Sequence, residues 1–309
     1  MRKHLKASQS RENQGLTLIE LLVAMAVSAV LIAAIYRTFI GQYKTYGVQE
    51  QVVDMQQNAR VAINRMIREI RMAGFGNVSS VLPMVTIGGT FNNIINPGND
   101  KDNIKGQHDD QITVIGAFER ISTLASEATP GTNTIQLKAK ASEFDLVNGK
   151  YICIGGLETH TISSRDTATN TITLNENILN RFPVDPLDPL VPLVPVFKVK
   201  AIRYRLRWDN NNPNIPVLTR EDLTDGGGSQ VVAENIENLQ FRYVLEDNSE
   251  SDSPAEADHP KIRLVNVKVD ARTRIPDIEI RKEGRLLKEE YRRRTISSNI
   301  LVRNMGANP

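Results

Sequence analysis

Residues 16–36 read LTLIELLVAMAVSAVLIAAIY and hold a single charge, Glu20, in 21 positions. As a helix this run spans about 32 Å at ~1.5 Å per residue, enough to cross a hydrocarbon layer of ~30 Å. The flank before it is basic: Arg2, Lys3, Lys6 and Arg11 against Glu12, a net of +3. That asymmetry predicts a cytoplasmic N-terminus, with the bulk of the chain beyond the far face of the membrane. An ordinary secretory signal would have an apolar stretch of only about 7–15 residues and then a small-residue cleavage site. Here the run is longer, and no proline occurs from Met1 to Leu82.

The helical pattern continues past the run. Val48, Val52, Met55, Ala59, Ile63, Met66, Ile70 and Ala73 recur every three or four positions, with Gln, Asn, Arg, Asp and Glu between them. One helix from about Leu16 to about Ala73 is expected, apolar all round in its first third and amphipathic afterwards. Gly74 and Gly76 supply a stop, and Gly41 and Gly47 are points where the helix is weakest. The chain thus divides into a leader (1–15), a membrane half (16–36) and an amphipathic half (37–76) of one helix, and a body (77–309).

Glu20 is the informative residue, because a carboxylate inside an apolar run is penalised in lipid and marks function by default. Its neighbours carry a resemblance. Gly15-Leu16-Thr17-Leu18-Ile19-Glu20-Leu21-Leu22-Val23-Ala24, after a short basic leader, resembles the class III signal of type IV pilins and type II secretion pseudopilins. The resemblance implies that prepilin peptidase cuts between Gly15 and Leu16 and methylates the new amine of Leu16, a residue that is phenylalanine in most members. It implies that Glu20, with Thr17 beside it, serves assembly: the Leu16 amine of one subunit meets the Glu20 carboxylate of its neighbour. Both charges then enter a filament core as a pair. It also implies an α+β pilin fold, in which a long spine helix packs on a β-rich head.

The body reads as β-rich. Strands are expected at Gln111–Phe118, Thr132–Lys140, Lys150–Ile154, Thr171–Leu174, Val196–Trp208, Asn238–Leu245, Lys261–Ala271 and Thr295–Arg303. In Ile202-Arg203-Tyr204-Arg205-Leu206-Arg207-Trp208 the arginines share one face and the apolar residues the other. Val265, Val267 and Val269 form a second stripe. Residues 88–110, rich in Asn, Gly and Asp, are expected to be a loop, as is Gly226-Gly227-Gly228-Ser229. Arg71-Met72-Ala73-Gly74-Phe75-Gly76, Ala233-Glu234-Asn235-Ile236-Glu237-Asn238-Leu239-Gln240-Phe241-Arg242-Tyr243 and the strand after Tyr291-Arg292-Arg293-Arg294 resemble the PilW family of minor pilins and the related J-type pseudopilins. Cleavage after Gly15 leaves 294 residues, large for a major pilin and suited to a minor one.

The remaining features exclude more than they assign. Lys plus Arg is 38 and Asp plus Glu 36, too balanced for a nucleic-acid binder running on bulk charge. The C-terminal stretch 261–309 does carry a net of +7, but without the interleaved aromatics of a strand binder, so DNA is not an expected partner. Cys153 stands alone, which excludes an intrachain disulfide and any multi-thiolate metal site, and it reads as a small core residue. P-loop, H-E-x-x-H and G-x-S-x-G patterns do not occur, so neither an enzyme nor a cofactor is expected. Residues 246–258 hold six acids and no base and read as a solvated loop. Neither they nor Asn99–Asp102 have the spacing of an EF-hand calcium loop. Pro183, Pro186, Pro189, Pro192 and Pro195 fall every third position, the period of polyproline II, over roughly 37 Å at ~3.1 Å per residue; the segment reads as a stiff linker between two β lobes.

The expectation is therefore a minor pilin without catalysis, single-pass in the inner membrane with a periplasmic head before assembly, and part of a surface pilus afterwards. Its expected partners are prepilin peptidase, the major and other minor pilins and the inner-membrane assembly platform, with a tip adhesin as a further candidate. A J-type pseudopilin of a type II secretion system and a DNA-uptake or adhesive tip pilin are the alternative readings.

Overall fold

The computed structural model describes residues 17–104, 107–138, 149–184, 193–209, 211–224, 227–276 and 291–305. Helix α1 runs from Leu18 to Arg71 and passes through Gly41 and Gly47 without a break. A 3₁₀ turn at Val78–Val81 follows, then the strands β1 (Met84–Thr86), β2 (Gly89–Phe91), β3 (Ile95–Ile104) and β4 (Gln107–Thr123). Next come β5 (Thr134–Gln136), β6 (Tyr151–Ile154), β7 (Glu158–Asp166), β8 (Thr171–Leu174) and β9 (Pro195–Trp208). The chain continues with β10 (Pro216–Asp222), β11 (Gly227–Glu234), β12 (Ile236–Leu245) and β13 (Glu250–Ser251). A second 3₁₀ turn, Glu256–Lys261, leads to β14 (Ile262–Arg272) and β15 (Arg293–Leu301). This is the α+β, pilin-like arrangement: a long N-terminal helix followed by a head of antiparallel sheets.

The chain forms two compact units, divided between Gln51 and Val52. In the first, α1 from Leu18 to Tyr46 keeps its large apolar residues exposed. In the second, the rest of α1 lies on the sheets of the head. Met55, Ala59, Ala62, Ile63, Met66 and Ile70 are buried there against Val114, Tyr204, Leu218, Phe241, Tyr243, Val265, Val267 and Val269. The 3.6-residue spacing of the helix residues supplies that face, and the two-residue spacing of the valines supplies the opposing one. Phe241 and Tyr243 stack with ring centroids 6.4 Å apart in this core.

The larger sheet is organised by β9. One edge of β9 pairs with β4; the other pairs with β6 near its start and with β10 near its end. The sheet runs β11-β10-β9-β6-β7-β8-β5, with β3 joined through β4. The smaller sheet runs β13-β12-β14-β15. The expected alternation in β9 holds: Ile202, Tyr204 and Leu206 are buried, while Arg203, Arg205 and Arg207 reach Glu221 of β10 at 3.8, 2.8 and 2.9 Å. A second core forms around Leu124, Leu137, Ile152, Ile154, Ile162, Ile172, Leu174 and Phe182. Val184 and Val194, near the two ends of the proline-rich stretch, both pack against this core; Pro186, Pro189 and Pro192 lie outside the described residues.

Several expectations are corrected. Residues 88–110 are not one loop: β2 and β3 lie there, and β3 is antiparallel to β4 with Ile95 opposite Val114 and Asn96 opposite Thr113. Turn-forming residues conceal a strand whose pairing comes from main-chain groups and whose Ile95 side chain is buried. Gly227, Gly228 and Ser229 open β11 rather than forming a free loop, while Gly226 lies outside the described residues. Strands β7 and β10 were not expected; β10 (PVLTRED) carries no alternation because both its faces are buried, Leu218 and Arg220 against α1 and Glu221 beneath Arg203 and Arg205. Of the strand expected at Thr132–Lys140, the structure shows Thr134–Gln136, and residues 139–140 lie outside the described residues.

Gly74 and Gly76 end α1 as expected, with φ of +81° and +95°. Gly76 is also a point of close approach. A Cβ there would sit 2.7 Å from the Cys153 sulfur and 2.9 Å from the Ala117 Cβ, so the chain after the helix passes the sheet where no side chain fits.

Candidate assembly site on the helix

The described part of α1 starts with a reciprocal cap. The carboxylate Oε2 of Glu20 accepts hydrogen bonds from the Thr17 backbone N–H at 2.9 Å and from the Thr17 hydroxyl at 2.8 Å. The Thr17 hydroxyl oxygen in turn accepts from the Glu20 N–H at 3.4 Å, and the Thr17 carbonyl accepts the first helical bond from Leu21 N–H at 3.2 Å. Thr17 is therefore the N-cap and Glu20 the third helical residue of a capping box, which satisfies backbone donors that every helix start leaves open. The S/T-x-x-E spacing of Thr17-Leu18-Ile19-Glu20 carried this signal; the pilin-like reading named Thr17 beside Glu20 for assembly and did not read it as the cap of the helix. Of the four expected site residues, the structure brings Thr17 and Glu20 together. Gly15 and Leu16 lie outside the described residues.

The surroundings of this cap are apolar and open. Leu18, Ile19, Leu21, Leu22 and Val23 are all more than half exposed, and α1 is long and apolar enough to cross a membrane by length and composition. A group that accepts two hydrogen bonds from its own chain carries part of its solvation with it. That lowers the cost of holding a carboxylate in such surroundings.

The far end of the helix holds a second carboxylate in the opposite condition. Glu69 is 6% exposed. It accepts from the Tyr204 hydroxyl at 2.7 Å and from Arg220 Nε at 2.9 and 3.1 Å, and Arg65 one turn earlier lies 3.3 Å away. Burial, and then the Glu69 charge, push the Tyr204 phenol far above its usual value, so it stays a donor. This network bolts α1 to β9 and β10. Sequence reasoning passed over Glu69 because Glu is an ordinary occupant of an amphipathic helix. The available signal was its position, three residues from Met66 and beside Ile70 on the apolar stripe.

Other charged features are engaged within the head. Among the acids of 246–258, Glu250 and Asp252 pair with Arg242 at 3.4 and 2.8 Å, Glu246 with Arg263 at 2.6 Å and Asp258 with Lys261 at 2.9 Å, while Glu256 accepts from Asn92. The segment expected to be a solvated loop is thus fastened to the basic side chains of β12, β14 and the turn before β14, and includes β13 itself. Arg293, in the basic C-terminal stretch, pairs with Glu237 at 2.6 Å, and the guanidinium of the buried Arg272 sits 4.1 Å from the centre of the Tyr291 ring. Cys153 is fully buried, and burial pushes its thiol up to about 11, so it stays protonated and unreactive near neutral pH.

Residues 10–36 match the family model of the prokaryotic N-terminal methylation motif. No curated protein and no solved structure matches the chain. The matched motif is the signal of type IV pilin-like and pseudopilin substrates of prepilin peptidase, and it marks the chain as a structural subunit of that kind. Together with the apolar helix it fits anchoring in a membrane before assembly with other pilin-like subunits.

Proposed function

We propose that the chain is a minor subunit of a type IV pilus, of the PilW kind, that primes or caps the filament. In this reading prepilin peptidase cuts between Gly15 and Leu16, and Leu16 becomes the methylated first residue. The inner-membrane assembly platform then draws α1 from the lipid into the fibre, while the head stays on the outer face. Glu20 sets the axial register by pairing with the Leu16 amine of a neighbouring subunit. Thr17 holds the carboxylate of Glu20 at the helix start until that amine arrives.

The observation that carries the reading is the methylation motif at residues 10–36, placed at the start of a helix whose first half is exposed and apolar. The test is deletion of the chain followed by complementation with wild type or Glu20→Ala. Wild type is expected to restore pili and twitching. Glu20→Ala is expected to be cut and membrane-anchored but scarce in sheared filaments. Normal pili with lost exoprotein release would assign the chain to a type II secretion pseudopilus instead. Full incorporation of Glu20→Ala would remove the register role.

A further inference from the structure

A strand at the edge of a sheet leaves a row of main-chain N–H and C=O groups open, and proteins blunt such edges against chance pairing. Most described edges of this head are blunted. Strands β1, β2 and β5 have three residues each, and β13 has two. Strand β11 pairs with β10 through two register shifts. Strand β3 contains Pro97 and a register shift between Gly98 and Asp102. Along β12, beside β13, the Phe241 N–H is taken by the Asp110 carboxylate at 2.8 Å.

Strand β15 is built differently. It closes the smaller sheet and, among the described residues, pairs on one side only. Its run Arg293–Leu301 pairs with β14 from Arg272 to Leu264 without a register shift. At ~3.4 Å per residue that edge is about 30 Å long. From Thr295 to Leu301 it holds no charge, no proline and no glycine. The Thr295 hydroxyl donates to Asp270 and the Asn299 side-chain carbonyl accepts from Asn266, both on β14. These side chains therefore turn toward β14 and leave the outer edge clear.

We propose that β15 pairs antiparallel with β15 of a second copy of the chain, joining the two smaller sheets into one. A second copy fits this edge because the strand is compatible with its own reverse. Ser297 is the middle residue of β15. A two-fold axis there places Ser297 opposite Ser297, Ile296 opposite Ser298, Thr295 opposite Asn299 and Arg293 opposite Leu301. Every residue of the strand is then matched, and no two arginines face each other. Opposite residues also share a face, as a continuous sheet requires. Ile296 is only partly buried in one copy, although it packs on the core. In the pair it becomes the diagonal neighbour of Ile296 and Ile300 of the second copy. One strand pair covers less surface than a stable interface between free molecules. Where α1 anchors both copies in one membrane, their local concentration is high enough for so small a contact to form. The contact lies wholly in the head and does not depend on the filament reading.

The experiment uses the full chain in cell membranes under mild oxidation. Ser297→Cys is expected to give disulfide-linked dimers of the chain. Ser229→Cys, exposed on the edge strand β11, is not; Cys153 is fully buried and gives no background. Two co-expressed copies with different tags, one Thr295→Cys and the other Asn299→Cys, are expected to link to each other. Adding Ser297→Lys to both copies sets like charges opposite and is expected to lower that linkage at least about tenfold. Ser297→Lys in one copy with Ser297→Glu in the other is expected to restore it, which also shows that both variants fold. The pairing is overturned if Ser297→Cys gives no more dimer than Ser229→Cys, or links only to a different protein. It is equally overturned by a loss with Ser297→Lys that Ser297→Glu does not restore. None of these outcomes bears on cleavage at Gly15, which tests the filament reading by itself.

Discussion

Along α1, residues 18–51 and residues 52–71 solve the same problem by different means. Val52–Arg71 is amphipathic, and its apolar stripe is covered by the sheets of its own chain. Leu18–Gln51 keeps Leu, Ile, Met, Phe and Tyr side chains open. Each stretch also holds a carboxylate. Glu69 is buried and met by Tyr204, Arg220 and Arg65, whereas Glu20 is exposed and, among the described residues, met by Thr17. The contrast separates what α1 does for folding from what it does for assembly. The buried stripe of the second stretch is met within the chain, and the first stretch is left for lipid and for other subunits.

Breaking the buried end has the largest expected effect. Glu69→Ala leaves Arg220 charged and buried without its partner, which costs about 3–5 kcal/mol. Denaturant unfolding of the detergent-solubilised chain measures this. Met66→Ala removes a fully buried side chain between helix and sheets and is expected to cost about 2–5 kcal/mol in the same assay, whereas Met25→Ala, on the exposed stretch, leaves the midpoint in place.

Alkaline pH probes the head through Cys153. The Cys153 thiol is raised from 9.0 to about 11 by burial, so the unfolded chain loses its proton first. Its contribution is full below pH 9.0 and is lost as pH rises from there toward 11, about 2–3 kcal/mol in all. Cys153→Ala is expected to flatten that part of the stability profile. The smallest effect on folding is expected for Glu20→Ala, which leaves the head's unfolding midpoint unchanged. A shift as large as that of Glu69→Ala would erase the distinction between the two ends.

Much of this contrast was legible in the sequence. The apolar run, the periodic residues from Val52 to Ala73 and the valine stripe of β14 each carry their pattern on a single element, and the structure places them as that pattern implies. The strand Thr171–Leu174 falls where expected. What escaped depends on partners distant in the chain. Strand β10 is buried on both faces and shows no alternation, and β3 pairs through main-chain atoms beneath turn-forming residues. The role of Glu69 depends on Tyr204 and Arg220, 135 and 151 residues away. At the assembly site the resemblance pointed to Glu20, and the Thr17 cap that holds it was readable from a four-residue spacing.

The proposed function requires that the leader be removed after Gly15 and that the new amine of Leu16 be methylated before α1 enters a filament. The mass of the N-terminal peptide of the chain taken from cell membranes tests this most directly. The account predicts a peptide that begins at Leu16 and carries one added methyl group. A peptide that begins at Met1 and extends through Gly15 would contradict it.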